Sequence, residues 1–373
     1  MTIAFTRGST IYDDSRATKE ILALLESGYK VKVFGWDRNG KACNECKQLF
    51  SNYKNNILFY FYNGNTGKKT INKIICRLKW SKWLMHELFA NNDIDIIHAC
   101  DFDTGEAVRK VAKKTNKKYI YDIFDYYVDS HAIPQFMKNY IEKKEISTIN
   151  QSELTIICTE ERREQINKSN PNKILVLHNS PDVERLDVEE EIFDYAYCGS
   201  MYGGRLLSEI LDKYPQYNQL RFLFAGYGDY ENKAKLLNEQ FDNFTYLGSI
   251  QYSKVLEYEN RSKIISAIYD PSIRNHRLCA PNKFYEALAL AKPVIVCKGT
   301  GIDKIVKDNN IGIVIDYDAE QFYEAIEYLL NNPKVRKDMG INARKIYESK
   351  YRWSIMKNKL IKAYSEISPN KVG

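Results

Sequence analysis

Between Arg274 and Cys297 the chain reads RNHRLCAPNKFYEALALAKPVIVC. Arg274, His276, Arg277 and Lys283 are cationic or can become so, and they surround the start of an expected helix. Pro281 suits the first helical position, which puts Lys283 in the first turn. A helix N-terminus carries partial positive charge, so a lysine there is disfavoured unless an anion shares the place. Glu286, three residues further on, lies on the same helix face. A phosphate suits the cation and the free N–H groups, and the carboxylate can accept hydrogen bonds from a sugar diol.

Two other loops have related chemistry. Gly199-Ser-Met-Tyr-Gly-Gly-Arg205 follows an apolar run and ends in a cation at the start of the next helix; Gly226-Tyr-Gly-Asp229 is a second glycine-rich turn into a helix. Glycines let backbone N–H groups come close to an anion. Singly, such turns are weak signals, equally explained as turn chemistry and solvated charge. Three of them after adjacent strands point to a nucleoside diphosphate, with Gly199, Arg205, Gly226, Arg274, Lys283 and Glu286 as its binding residues.

Strand-like and helix-like segments alternate along the chain, the pattern of parallel sheets with helices on both faces. Strands are expected at 2–6, 30–35, 57–62, 94–99, 118–123, 154–159 and 174–179, then at 193–199, 220–226, 244–248, 263–270, 292–297 and 311–316. That is too many for one open sheet. The expectation is α/β with two doubly wound halves over 1–179 and 180–350 and a terminal helix over 351–373. The acidic run 182–191 reads as a linker. Ligands of such sheets bind beyond the carboxyl ends of the strands, so the loops there are where chemistry is expected.

The segment PNKFYEALALAKPVIV resembles the donor-site motif of the GT-B glycosyltransferases, in the large group 1 family whose retaining members carry a Glu-x7-Glu pair. Pro281, Lys283, Glu286 and Lys292-Pro293-Val294 match it. DSRATKEILALLESGYKVKVFGWDR, IDIIHACD, KYIYDIFDYY and VLHNSPD are similar to further family segments, in order along most of the chain. The resemblance implies the GT-B fold, two Rossmann-like domains facing a cleft with the C-terminal helix crossing back to the first. It implies transfer of a sugar from a nucleotide sugar, a UDP-sugar first, with no other cofactor and no metal. Glu286 matches the residue that holds the ribose, and Arg205 and Lys283 match the cations on the diphosphate. Leu278 stands where the first Glu of the pair belongs, which leaves the sugar hydroxyls without an assigned contact.

On the acceptor side the candidates are Asp14, Arg16, His98, Asp101, Asp103, Asp122 and Asp125. Asp101 and Asp125 follow strands and are expected to contact the acceptor or act as general base; Arg205 and Lys283 complete the catalytic set. Asp14 equally suits a helix cap and His98 a satisfied strand-end histidine. Asp101-Phe-Asp103 spells a metal-binding triplet of another glycosyltransferase fold, but metal binding is not expected here.

The chain has 373 residues, with 55 basic against 48 acidic ones, a net charge of +7. This suits an anionic small molecule or membrane surface without demanding nucleic acid. The eight scattered cysteines read as reduced thiols of a cytoplasmic protein, Cys43-x-x-Cys46 included. No secretion signal or membrane-spanning run is read. The segment 68–89 mixes Lys69, Lys73, Arg77, Lys79 and Lys82 with Trp80 and Trp83, and suggests peripheral binding to the inner face of the plasma membrane. Its other face is expected to pack Ile74, Ile75, Leu78 and Leu84 onto a sheet, and the two readings can hold together. With family habit, the helix favours a lipid-linked acceptor glycan in bacterial surface polysaccharide or capsule assembly, and retention is the expected outcome. The rivals are a non-catalytic GT-B partner subunit and a nucleotide-sugar epimerase. A nicotinamide dehydrogenase is disfavoured, because neither half has a full G-x-G-x-x-G after its first strand.

Overall fold

The computed structural model describes residues 1–64, 70–131, 133–183, 190–279 and 281–368. Lys69, most of the acidic run at 182–191 and the last five residues lie outside the described ones. The chain divides into two compact units, Met1–Leu177 with Lys357–Gly373, and His178–Met356.

The first unit is built on β1 (Thr2–Arg7), β2 (Lys30–Asp37), β3 (Ile57–Asn63), β4 (Ile96–Cys100), β5 (Lys118–Ile123), β6 (Leu154–Ile157) and β7 (Ile174–Val176). They form one parallel sheet in the order β3-β2-β1-β4-β5-β6-β7. Every residue of β4 is buried, as a strand covered on both faces must be. The order reverses between β1 and β4, so the crevice at their carboxyl ends is where a ligand of this sheet belongs. Trp36, Trp80, Ile97 and Tyr121 lie in one of its apolar clusters.

The second unit holds β8 (Phe193–Cys198), β9 (Phe222–Ala225), β10 (Phe244–Tyr246), β11 (Ser262–Ala267), β12 (Val294–Cys297) and β13 (Gly312–Ile315), all parallel, in the order β10-β9-β8-β11-β12-β13. Ile265 pairs with Ala196 on one side and Val294 on the other. The reversal falls between β8 and β11. Gly199 therefore leaves β8 at the switch point, and the chain leaving β11 carries the Arg274–Lys283 stretch to the same edge.

The two doubly wound sheets expected from the alternation are present. Three local features differ from expectation. The helix Ala42–Leu49 was not legible. It is short and polar, and its start is held from a distance, with Asp37 accepting from the N–H groups of Asn39, Gly40 and Ala42. Pro281 is the N-cap of the Asn282–Ala289 helix, not its first residue, which still leaves Lys283 in the first turn. The helix after β8 starts at Leu207, so Arg205 lies in the loop before it.

The helix Trp353–Ile367 runs from one unit into the other. Its Tyr364 hydroxyl meets His98 Nδ1 at 2.6 Å, the Ile367 carbonyl accepts from Lys118 Nζ at 2.9 Å, and Lys357 pairs with Glu26. All eight cysteines are free thiols, and Cys46, Cys100, Cys158, Cys198 and Cys297 are buried.

Candidate functional site

In the second unit the three post-strand loops meet. Gly199 N–H donates to Ala225 O at 2.8 Å and Gly226 N–H to Gly248 O at 2.7 Å. A side chain at Gly226 would collide with the Gly199 carbonyl, and one at Gly199 would collide with the Lys283 ammonium. Both glycines have positive φ as well, 153° and 142°. Only glycine fits at either place, and the fit brings the cation of one loop against the backbone of another.

Lys283 Nζ lies 4.7 Å from the centre of the Tyr197 ring, and the Arg205 guanidinium 5.4 Å from that of Tyr269. Burial pushes the Tyr269 phenol up to about 12, with Lys283 and Arg205 both acting in the opposite sense. The two cations thus both act on one half-buried phenol. Neither makes an ion pair among the described residues, and Arg205 donates only to the Gly203 carbonyl, at 3.3 Å.

Glu286 is buried in the second turn of the Asn282–Ala289 helix. Sequence reasoning missed its neighbour Glu259, at the end of the Tyr252–Asn260 helix. Glu259 is fully buried, and neither carboxyl oxygen has a hydrogen-bond partner. Burial holds its pKa well up, Glu286 adds to the shift and Lys283 opposes it. Burial thus favours the protonated form of Glu259 beside Glu286. A glutamate on the inward face of a helix was the signal that could have found it. Arg274 and His276 lie in the short Arg274–Arg277 turn, with His276 edge-on to Tyr269 at 5.1 Å. Leu278 is buried.

In the first unit the acidic candidates separate into distinct roles. Asp101 leaves β4 with φ 59°. Its Oδ1 accepts from the N–H groups of Phe124 and Asp125 at 2.8 and 3.1 Å, and its Oδ2 from Arg7. Arg7 also pairs with Asp14 at 2.9 Å, and Asp14 caps the first helix through Ala17 N–H. The guanidinium groups of Arg7 and Arg16 lie 4.1 and 4.5 Å from the Phe124 ring. Asp101 is thus a strut between two loops, its pKa raised chiefly by burial against the pull of Arg7. Asp125 is different: its side chain is 53% exposed and pairs with Arg162 at 3.1 Å. Asp103 stands 3.8 Å from Arg77.

His98, Asp122 and Arg16 lie deeper, in a closed cluster with Glu20 and Tyr364. Arg16 bridges Glu20 and Asp122, and His98 Nε2 is 3.5 Å from Glu20 and 3.4 Å from Asp122. Burial raises Glu20 to about 8 and Asp122 to about 6, and lowers His98 to about 4. His98, Cys100 and Asp122 bring ligand-type atoms within 4.8 Å of one another. These groups belong to the interior and not to the post-strand loops.

The basic helix Thr70–Ala90 departs from both expectations. Trp80 is fully buried, stacked between Trp36 at 5.7 Å and Trp83 at 5.3 Å, so it is core and no membrane anchor. Leu84 packs inward as expected, but Ile74, Ile75 and Leu78 do not. Leu78 is 59% exposed, and Ile74 and Ile75 face solvent with it. On the nearby Gln135–Gln151 helix Phe136 is 83% exposed, with Tyr140 one turn on. Both helices pack on Phe102–Thr115. Among the described residues no helix is long and apolar enough to cross a membrane.

Residues 195–346, which hold every donor-side candidate above, match the family model "Glycosyl transferases group 1". The chain has the GT-B fold of the group 1 glycosyltransferases. Sucrose-phosphate synthase from Thermosynechococcus elongatus superposes with a TM-score of 0.72 at 13% identity, over 98% of this chain and 99% of that one. Anabaena HepE in complex with UDP-glucose gives 0.69 at 12% identity, over 98% and 100%. At such identities the likeness is one of fold. Alpha-D-kanosaminyltransferase of Streptomyces kanamyceticus is 29% identical over 83 residues. That match spans 22% of this chain and 22% of the relative.

Proposed function

We propose that the chain transfers a hexose or related sugar from a nucleoside-diphosphate sugar to a hydroxyl of a glycan acceptor. The observation that carries this reading is the meeting of Lys283 with Gly199 and Gly226 at the N-terminus of the Asn282–Ala289 helix, with Glu286 buried behind it. A diphosphate at the helix N-terminus offsets the charge of Lys283 and Arg205, and Glu286 accepts from the ribose diol. The complex of HepE with UDP-glucose supports a UDP-sugar as donor.

In the reaction the bond from the anomeric carbon to the β-phosphate oxygen breaks, and its electron pair leaves with the nucleoside diphosphate. Lys283, Arg205 and the helix N–H groups lower the barrier by meeting the charge that grows on that oxygen. The acceptor oxygen forms the new bond to the anomeric carbon and gives up its proton. With retention, the reading favoured here, the departing phosphate takes the proton on the same face. With inversion, Asp125 is the better base of the two aspartates, since Asp101 is already engaged by Arg7 and two N–H groups. The protein cations meet the leaving group themselves, so the scheme is metal-independent, and activity is expected to persist in chelator.

The exposed face of the first unit supports reading the acceptor as a lipid-linked glycan of bacterial surface polysaccharide or capsule assembly. Ile74, Ile75, Leu78, Phe136 and Tyr140 are flanked by exposed Lys73, Lys79 and Lys82 and by half-buried Lys138. Apolar side chains ringed by lysines suit an anionic membrane surface on the cytoplasmic side.

Calorimetry and thermal shift against UDP, GDP, ADP and NAD test the donor reading, with Lys283→Ala and Glu286→Ala alongside. Stabilisation by one nucleoside diphosphate, lost in both variants, is expected. Stabilisation by none overturns the reading in favour of a non-catalytic partner subunit. Product analysis with donor alone separates transfer from epimerisation, which needs no acceptor.

A further inference from the structure

Beside the phosphate-ready loops stand two exposed aromatic rings that the mechanism above does not use. Tyr202 lies in the loop after β8 and Tyr227 between Gly226 and Gly228 after β9. Their exposures are 42% and 56%, and their ring centres are 6.2 Å apart at an interplanar angle of 87°. Neither phenol makes a hydrogen bond among the described residues, so neither is kept for a polar tie.

The backbone on both sides of Tyr227 is pinned. Gly226 abuts the Gly199 carbonyl, and a side chain at Gly228 would come within 2.6 Å of the Met201 carbonyl group. Met201 is fully buried, and its N–H donates to Tyr227 O at 2.7 Å. Met201 O accepts in turn from Tyr230 N–H at 3.3 Å. Tyr227 is thus a solvent-facing ring on a fixed stretch of chain. It stands one residue from the contact that runs through Gly226 and Gly199 to the Lys283 ammonium. The edge-to-face contact with Tyr202 holds the two planes against each other.

A nucleoside diphosphate presents a flat base at one ribose's remove from its phosphates. Every base has a π-face, and a rigid aromatic ring binds it without demanding a particular hydrogen-bond pattern. We propose that Tyr227, braced by Tyr202, is the platform on which the base of the bound nucleotide stacks. The assignment rests on the nucleotide-sugar reading of the same site.

The test measures calorimetric affinities of the full chain and of Tyr227→Ala, Tyr202→Ala and Tyr227→Phe. The probes are UDP, GDP and ADP, with inorganic pyrophosphate as a probe that has no base. Tyr227→Ala is expected to weaken the tightest-binding nucleotide about tenfold or more, on the scale of base–aromatic stacking, and to leave pyrophosphate unchanged. Tyr202→Ala is expected to cause a smaller loss of the same kind, and Tyr227→Phe, which keeps the ring, to bind as the unaltered chain does. Both side chains are exposed, and unchanged melting temperatures confirm that the variants fold. Nucleotide binding that is intact in Tyr227→Ala, or that falls together with pyrophosphate binding, overturns the platform and leaves the donor reading standing. An unaltered chain that binds no nucleotide overturns both.

Discussion

A lysine in the first turn of a helix is tolerated where an anion offsets it, and Lys283 has no acidic partner within ion-pair reach among the described residues. The opposite arrangement, carboxylates crowded with too few partners, occurs in the first unit. Glu20 and Asp122 share Arg16, while Glu20 Oε2, Asp122 Oδ2 and His98 Nε2 each lack a hydrogen-bond partner. One proton on Glu20 balances the pair against the single guanidinium. With its folded pKa raised from 4.5 to about 8 by burial, native Glu20 keeps a proton that the unfolded chain has lost. The resulting stability is complete below pH 4.5 and is lost as pH rises to about 8. Glu20→Gln imitates the protonated form. Urea midpoints across that window are expected to fall with pH in the unaltered chain and to stay nearly level in the variant. Equal slopes in both would place the proton elsewhere. His98 acts in the other direction: held down by burial to about 4, it costs stability as pH falls below its ordinary value of 6.5.

At the scale of the element, the Thr70–Ala90 helix has two faces with different roles. Trp80 lies in the aromatic stack with Trp36 and Trp83, so Trp80→Ala is expected to cost about 3–5 kcal/mol, read from the denaturant midpoint. Leu78 faces water, and Leu78→Glu is expected to change stability by about 0.5 kcal/mol or less. The same variant, and Phe136→Ala, should pellet less with anionic liposomes, and the binding should weaken with salt. Equal pelleting by all three chains would remove the membrane reading and leave the donor site untouched. Tyr364→Phe tests the terminal helix: losing the bond to His98 is expected to cost about 1 kcal/mol in the first unit.

For the whole molecule, the division of labour can be measured. Lys357–Gly373 belongs to the first unit, while every donor-side candidate lies within His178–Met356. Ending the chain at Met356 removes Leu360 and Tyr364 from the core they complete and leaves His98 Nδ1 unpaired. The expected outcome is a first unit that unfolds at lower denaturant, with nucleotide affinity in the second unit kept near that of the full chain. A parallel loss of both would show that the donor site depends on the removed segment.

Periodicity and turn residues sufficed for the two sheets, because strands buried on both faces read as apolar runs and each crossover helix has its own stripe. Spacing also sufficed to put Lys283 and Glu286 on one helix, since three residues along a helix keep a fixed relation wherever it sits. The convergence of Gly199, Gly226 and Lys283 was beyond local reading, as were the separate fates of Asp101 and Asp125. Those depend on strand order and on which distant backbone comes close. Burial, too, is a property of the folded whole. It made Trp80 a core residue, left Leu78 in water and enclosed the Glu259 carboxyl near Glu286, although nothing in the types of these residues distinguishes such outcomes.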